Sequence, residues 1–285
     1  MTKDKPLKFR AIYVIMPVIL LMAVLVFPVL QRQGQGTPLA AYADEISTEA
    51  STIAVNGKHI YRWGLKRAKD HALPEVGREE VSVLQAHGGR YIADPNQMKI
   101  YLTFDEGYEN GYTAQILDTL QETGVKAIFF ITGDYFDQNA ELIRRMVEEG
   151  HEVGNHTMRH YSLPEISASK VESEILELDR LFFDKFGRHM RFLRPPKGEY
   201  NDTVLTVADS LNHKCILWSF AYQDWLTDKQ KGADYALQMV TDNLHNGAIL
   251  LLHAVSKDNA EALKDIIETA RDMGYEFGTP EELWS

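Results

Sequence analysis

Asp105 and Glu106 stand side by side at the end of the apolar run Ile100-Tyr101-Leu102-Thr103-Phe104. Paired carboxylates let one bind a metal while the other takes a proton. His156 and His160 follow the segment His151-Glu152-Val153-Gly154-Asn155. Their spacing suits a metal on one helix face or across a tight turn. A borderline cation accepts such nitrogens with a carboxylate oxygen and leaves room for water, and zinc is the default. Arg194 closes Phe192-Leu193 and precedes Pro195 and Pro196. The prolines restrict the backbone and hold the arginine in one direction. Arg194 can clamp Asp105 in its ionised form or bind a substrate carboxylate bidentately. His253 ends Ile249-Leu250-Leu251-Leu252 and can serve as an acid near neutral pH. Asp224 can bond its other ring nitrogen, fix the tautomer and favour the imidazolium.

Each of these residues has a plainer reading. Acidic pairs are common in solvated loops, a lone histidine after a strand is often a core residue, and an aspartate often caps a helix. Their shared address at the downstream ends of apolar runs is what groups them. Trp218, Tyr222, Trp225 and Tyr200 fall near the same mouth by topology, as packing residues or as platforms for sugar rings. His59, His71, His87, His151, His213 and His245 have no comparable context.

Strand-like runs occur near 99–104, 125–132, 151–155, 190–194, 215–220, 247–252 and 275–278, with helical patterns between most of them. Thr113 can open one helix and Gly124 end it. Ser167 or Ser169 opens a longer one that stops at Gly187. Further helices are expected at about 78–85, 201–211, 233–244 and 258–273. The alternation of roughly seven β-then-α units predicts an α/β fold, either a parallel barrel of about seven strands or a doubly wound sheet. A circular mouth gathers residues from five strand ends more easily than a linear crevice. No Gly-rich phosphate loop follows the first strand, as an open nucleotide fold would suggest.

The chain has 285 residues and a formal charge of −11, which argues against an electrostatic nucleic-acid binder. Cys215 is the only cysteine, so no intrachain disulfide forms; it reads as a small core residue. Lys3, Lys5, Lys8 and Arg10 precede an uncharged stretch from Ala11 to Leu30. That length roughly matches a ~30 Å hydrocarbon core, and the cationic flank should stay in the cytoplasm. The stretch is a retained single-span anchor, or a signal peptide cut after Ala41-Tyr42-Ala43. The expected organisation is 1–43 tail, signal or anchor and linker; 44–97 an extension packing on the barrel; 98–285 the catalytic domain. The catalytic domain is expected outside the cytoplasm, anchored or secreted.

Thr103-Phe104-Asp105-Glu106-Gly107, His156-x-x-x-His160, Arg194-Pro195-Pro196-x-Gly198, Asp224-Trp225 and Leu251-Leu252-His253 occur in one order. That order resembles the five motifs of polysaccharide deacetylases, the NodB homology domain, over about Met98 to Leu283. The family resemblance implies an irregular (β/α) barrel that removes N-acetyl groups from sugars with a divalent metal, usually zinc. Gly107-Tyr108-Glu109-Asn110-Gly111-Tyr112-Thr113, Gln230-Lys231-Gly232 and the stretch from Ser256 to Leu263 resemble the delta-lactam-biosynthetic branch. That branch implies N-acetylmuramic acid in spore-cortex peptidoglycan as substrate and the glycan strand as partner. The alternatives are N-acetylglucosamine in wall or chitin-like glycan, or a non-catalytic wall-binding homologue.

By resemblance, Asp105 is the general base and Arg194 positions it. His156, His160 and Glu106 hold the metal. Asp224 tunes His253, the general acid. Trp225 and Leu251 wall the acetyl pocket, and Tyr200 is grouped with them as a substrate contact. The wider family mostly has aspartate where Glu106 stands. Glutamate is one methylene longer, so it either ligates with a shifted geometry or leaves a two-histidine site with Asp105 or water.

Overall fold

The computed structural model describes residues 59–284. The expected anchor or signal, and the start of the extension, lie outside the described residues. Among the described residues, no helix is long and apolar enough to cross a membrane.

Three two-residue strands come first: β1 (Tyr61–Arg62), β2 (Leu65–Lys66) and β3 (Glu75–Val76). The helix Arg78–Ala86 follows. The main strands are β4 (Lys99–Glu106), β5 (Ala127–Ile131), β6 (Glu152–Asn155), β7 (Phe192–Leu193), β9 (Lys214–Cys215), β10 (Phe220–Ala221), β11 (Ile249–His253) and β12 (Glu276–Phe277); β8 (Glu199–Tyr200) lies apart and pairs antiparallel with β1.

The eight main strands form one parallel sheet in the order β10-β11-β4-β5-β6-β7-β9, with β12 paired to the first two residues of β4. Helices lie between all successive main strands except β9 and β10, which do not pair with each other. The sheet curls into a half-barrel, because β9 and β10 belong to one chain run that leaves β7 and joins β11. The expected strand at 215–220 is therefore two short strands with a bend at Ile216–Ser219. Residues 90–93 bridge the opening beneath that bend. Arg90 N donates to Cys215 O at 2.9 Å, and Ala93 N donates to Gly247 O at 2.8 Å.

Alternation along the strands decides what faces the barrel. On β4, Ile100, Leu102 and Phe104 pack with Ile116, Leu117 and Leu120 in the helix layer. Tyr101 instead joins Ile128, Phe130, Phe192, Ile216 and Ile249 in the barrel interior. On β11 the same parity puts Leu250 and Leu252 outward and Ile249 inward. Such strands are buried on both faces, so they read as continuous apolar runs.

Local chemistry sets the helix ends. Ser167, Asn201 and Ser256 accept from backbone N–H groups at the starts of Ala168–Phe186, Asp202–Ser210 and Lys257–Asp272. Gly124 and Gly187 stop their helices in left-handed conformation. Thr113 does not cap its helix. Its hydroxyl instead accepts from Tyr135 Oη at 3.3 Å, while Glu109 Oε1 accepts from Gly111 N at 2.5 Å just before the helix.

Candidate active site

Asp105, His156, His160, Trp225, Leu251 and His253 line one cavity of about 570 Å³ at the downstream end of the sheet. Asp105 and His253 are register partners on adjacent strands, one residue before the end of β4 and at the last residue of β11. A second hollow of about 350 Å³ continues past Tyr108 and Arg159 and shares Asp105, both histidines, Trp225 and His253 with the first.

Arg194 extends β7, its backbone N–H donating to Asn155 O at 2.9 Å. Its guanidinium is fully buried. Nη1 donates to Asp105 Oδ1 at 2.7 Å and to Thr103 Oγ1 at 2.8 Å, while Nε donates to Ile216 O at 3.1 Å. The plane rests 4.1 Å above the Phe130 ring. Gly154 makes room for that ring, since a Cβ there would lie 2.5 Å from it. Burial alone would raise the Asp105 carboxyl. The charge of Arg194, its hydrogen bond and the His253 imidazolium outweigh burial and hold it below the usual carboxylate range.

His156 Nδ1 lies 2.7 Å from Arg194 O. A carbonyl only accepts, so Nδ1 carries the proton and Nε2 keeps its lone pair, 3.5 Å from Asp105 Oδ2. Burial holds this imidazole below its ordinary pKa. His160 lies beside it, with ring centroids 4.8 Å apart. The two are joined by a turn rather than a helix, with Thr157 at φ 71° and His160 at φ 55°. Left-handed backbone at a β-branched residue is strained and must be held by its surroundings. Asn155 Oδ1 accepts from Thr157 N at 2.8 Å, and the buried Glu174 accepts from Arg159 N at 2.7 Å. Desolvation at the cavity wall, with His156 next to it, pushes His160 down to about 4. Both imidazoles are therefore neutral at physiological pH, the form that binds metal.

His253 Nδ1 donates to Asp224 Oδ1 at 2.7 Å, and its backbone N–H donates to Asp224 Oδ2 at 2.8 Å. Burial would lower the His253 pKa, but the Asp224 carboxylate overrides it and raises it. Asn259 completes this arrangement: its Nδ2 donates to Asp224 Oδ2 at 2.6 Å, while its Oδ1 accepts from Tyr222 Oη. The loop carrying Asp224 and Trp225 is fastened to the helix Lys257–Asp272. Gln230 Oε1 accepts from Ser256 Oγ at 2.7 Å, and Asp258 Oδ2 accepts from Lys231 N and Gly232 N at 2.7 Å each.

Two expected site residues lie elsewhere. Glu106 shares the parity of Leu102 and Phe104, because β4 stays extended through it; its side chain is fully buried and lines neither hollow. Both of its carboxyl oxygens lack a hydrogen-bond partner. Tyr200 is also fully buried, since β8 pairs with β1 outside the main sheet; its hydroxyl donates to Glu80 O at 2.7 Å. Asn259 and Thr103 were not singled out from the sequence. The signal for Asn259 is a polar residue on the buried side of an amphipathic helix. Thr103 is the inward residue two before Asp105.

Burial, followed by the charges of Glu109 and Asp105, pushes the Glu106 carboxyl well up. A carboxyl raised in the folded state binds its proton more tightly there than in the unfolded chain. Its stabilising effect is present below the unfolded pKa of about 4.3 and is lost as pH rises. Glu106→Gln is therefore expected to raise the melting temperature by a few degrees at pH 8 and by less near pH 4.5, with acetate release preserved. Equal gains at both pH values in thermal melts, or a loss of activity, would contradict this placement.

The chain belongs to the polysaccharide deacetylase family, whose model matches residues 93–216. It is a polysaccharide de-N-acetylase, a hydrolase of amide C–N bonds. The peptidoglycan-N-acetylmuramic acid deacetylase PdaA of Bacillus subtilis is 38% identical over 222 residues, 78% of this chain and 84% of that protein. The peptidoglycan-N-acetylglucosamine deacetylase of Bacillus cereus is 36% identical over 193 residues, 66% of this chain and 90% of that one. The solved structure of Bacillus subtilis PdaA, described as a family 4 carbohydrate esterase, matches with a TM-score of 0.78 at 37% identity, covering 80% of this chain and 98% of that chain.

Enzymes of this family are generally metal-dependent. Among the described residues, no three His, Cys, Asp or Glu side chains are grouped to hold a metal ion. The donors that fit are the two neutral imidazoles of His156 and His160, open to the cavity, while the expected Glu106 is buried away from it.

Proposed function

We propose that this peptidoglycan deacetylase removes the acetyl group from N-acetylmuramic acid whose peptide has been stripped. The freed amine then attacks the lactyl carboxyl carbon, and loss of water, with breaking of a carboxyl C–O bond, gives muramic δ-lactam in the spore cortex. The similarity to the muramic acid deacetylase supports this choice of sugar. The cationic flank and apolar stretch before residue 31 support a location outside the cytoplasm, anchored or secreted.

The observation that carries the chemistry is the placing of two oppositely tuned groups side by side on adjacent strands at one cavity. Asp105 is held ionised by Arg194, and His253 is held protonated by Asp224. Groups whose environments drive their pKa values apart divide into base and acid. Asp105 takes the proton of the attacking water. His253 delivers the Nε2 proton to the leaving nitrogen. Arg194 keeps Asp105 charged and oriented, and Asp224 does the same for His253. Trp225 and Leu251 flank the acetyl methyl. A divalent metal, zinc by its nitrogen donors, would be held by His156 and His160 and would polarise the acetyl carbonyl and water.

The pH profile follows from these roles. Activity requires ionised Asp105 and protonated His253, so it falls on the alkaline side as His253 loses its proton. Asp224→Asn removes the charge that raises His253, and the alkaline limb of kcat/KM should move down by roughly 1 pH unit. An unmoved limb would rule out His253 as the acid.

Mass spectrometry of glycans incubated with the purified protein tests the substrate. Peptide-stripped muramyl glycan should lose acetyl groups while chitooligosaccharide does not. The reverse preference would favour N-acetylglucosamine, the sugar in the name of the Bacillus cereus relative. Acetate from neither would leave a non-catalytic wall binder.

A further inference from the structure

We propose that the N-terminal extension builds a further sugar subsite, formed by Leu65 and Arg67 against Trp218 and Ala221. It would take a neighbouring pyranose of the same glycan strand. The proposal rests on the peptidoglycan reading and names a contact for sugars beyond the reacting one.

Three hollows run in series across the mouth. The catalytic cavity shares Asp105 and both metal-facing histidines with the hollow at Tyr108 and Arg159. On its other side it shares Trp218 and Ala221 with a hollow of about 460 Å³ closed by Leu65 and Arg67. The two outer hollows share no residue, so the catalytic groups lie between them. A groove open on both sides of the reacting centre suits an internal residue of a polymer.

The outer hollow has the chemistry of a sugar site. Trp218 is braced from beneath: Trp63 Nε1 donates to its carbonyl at 2.9 Å, and a Cβ on Gly198 would lie 2.8 Å from its ring. Its half-buried indole, with the half-buried Leu65, offers an apolar face to a pyranose. Arg67 is exposed but held in place, since its Nη2 donates to Ala221 O at 2.8 Å and its guanidinium lies 5.5 Å from the Phe220 ring centroid. Its other N–H groups make no hydrogen bond among the described residues and are directed donors for hydroxyl, amide or carboxylate oxygens.

The test is the length dependence of acetate release on peptide-stripped muramyl glycans from two to six sugars. Wild-type kcat/KM should rise with length. Arg67→Ala and Leu65→Ser should lose about tenfold on the longest glycan and little on the shortest one turned over. Leu65→Ser removes no hydrogen bond, so it separates sugar contact from disturbance of the Ala221 wall. An unchanged length dependence in both variants, or equal loss at every length, overturns the subsite. Should the wild type release no acetate from any length, the substrate reading fails, and calorimetry with the longest glycan still decides the subsite. Tighter binding by wild type than by both variants supports it, and equal binding overturns it.

Discussion

Asp105→Asn is expected to cut acetate release by ~10²–10⁴-fold while leaving the fold intact. Asparagine keeps the shape of the side chain, and its carbonyl oxygen can still accept the 2.7 Å bond from Arg194 Nη1. What it loses is the ability to take a proton from water. The buried Arg194 guanidinium keeps its hydrogen bonds but loses its counter-charge, so the melting temperature should fall as well, by an amount the assay must separate from the loss of rate. Stopped assays of acetate release, alongside thermal melts, separate the two effects. Near-wild-type turnover in a folded Asp105→Asn protein would remove Asp105 from the role of base.

Arg194→Met should be felt in stability as well as in rate. The guanidinium serves Asp105, Thr103 and the Ile216 carbonyl at once, and Leu217 O lies 3.4 Å from Nη2. Methionine fills part of the volume and leaves a buried carboxylate without its counter-charge. Removing one member of a buried pair typically costs about 3–5 kcal/mol. Denaturant unfolding should show a loss of that size. The sign of the accompanying pH effect follows from Asp105, whose carboxyl is held low by Arg194 against the pull of burial. Without the arginine the carboxyl rises, so the acid limb of the activity profile moves to higher pH. Arg194→Lys supplies charge but not the planar fork, and should recover only part of the stability. The double variant Arg194→Met with Asp105→Leu should be more stable than Arg194→Met alone, because no orphaned charge remains. If Arg194→Met melts like wild type with an unmoved acid limb, the pairing has no energetic role.

Much of the sheet was legible because parallel strands covered on both faces leave long apolar runs, as in Ile100–Phe104 and Ile249–Leu252. The bend at Ile216–Ser219 was not, because nothing local shows that one end of the run pairs with β7 and the other with β11. Asp105, His156, Arg194 and His253 could be grouped from position alone, since each lies within a residue of the downstream end of a strand. Glu106 could not be assigned without knowing where β4 stops. A turn starting at Asp105 would have aimed both carboxylates into the mouth, whereas one more extended residue sends the second into the helix layer. Tyr200 failed for a related reason: its strand belongs to a two-stranded pairing with Tyr61–Arg62 that the main alternation does not announce. Asn259 lies in a stretch whose resemblance was visible, but its contact with Asp224 spans 35 residues and needs the folded chain.

Gln230, Ser256 and Asp258 knit two distant stretches of the chain into one unit that carries Asp224 and Trp225. Anyone transplanting substrate preference between relatives would have to exchange both stretches as a single cassette. A chimera carrying only one half would present unmatched donors and acceptors at the seam, and its Trp225 would no longer be held beside His253, where the ring centroids lie 5.4 Å apart.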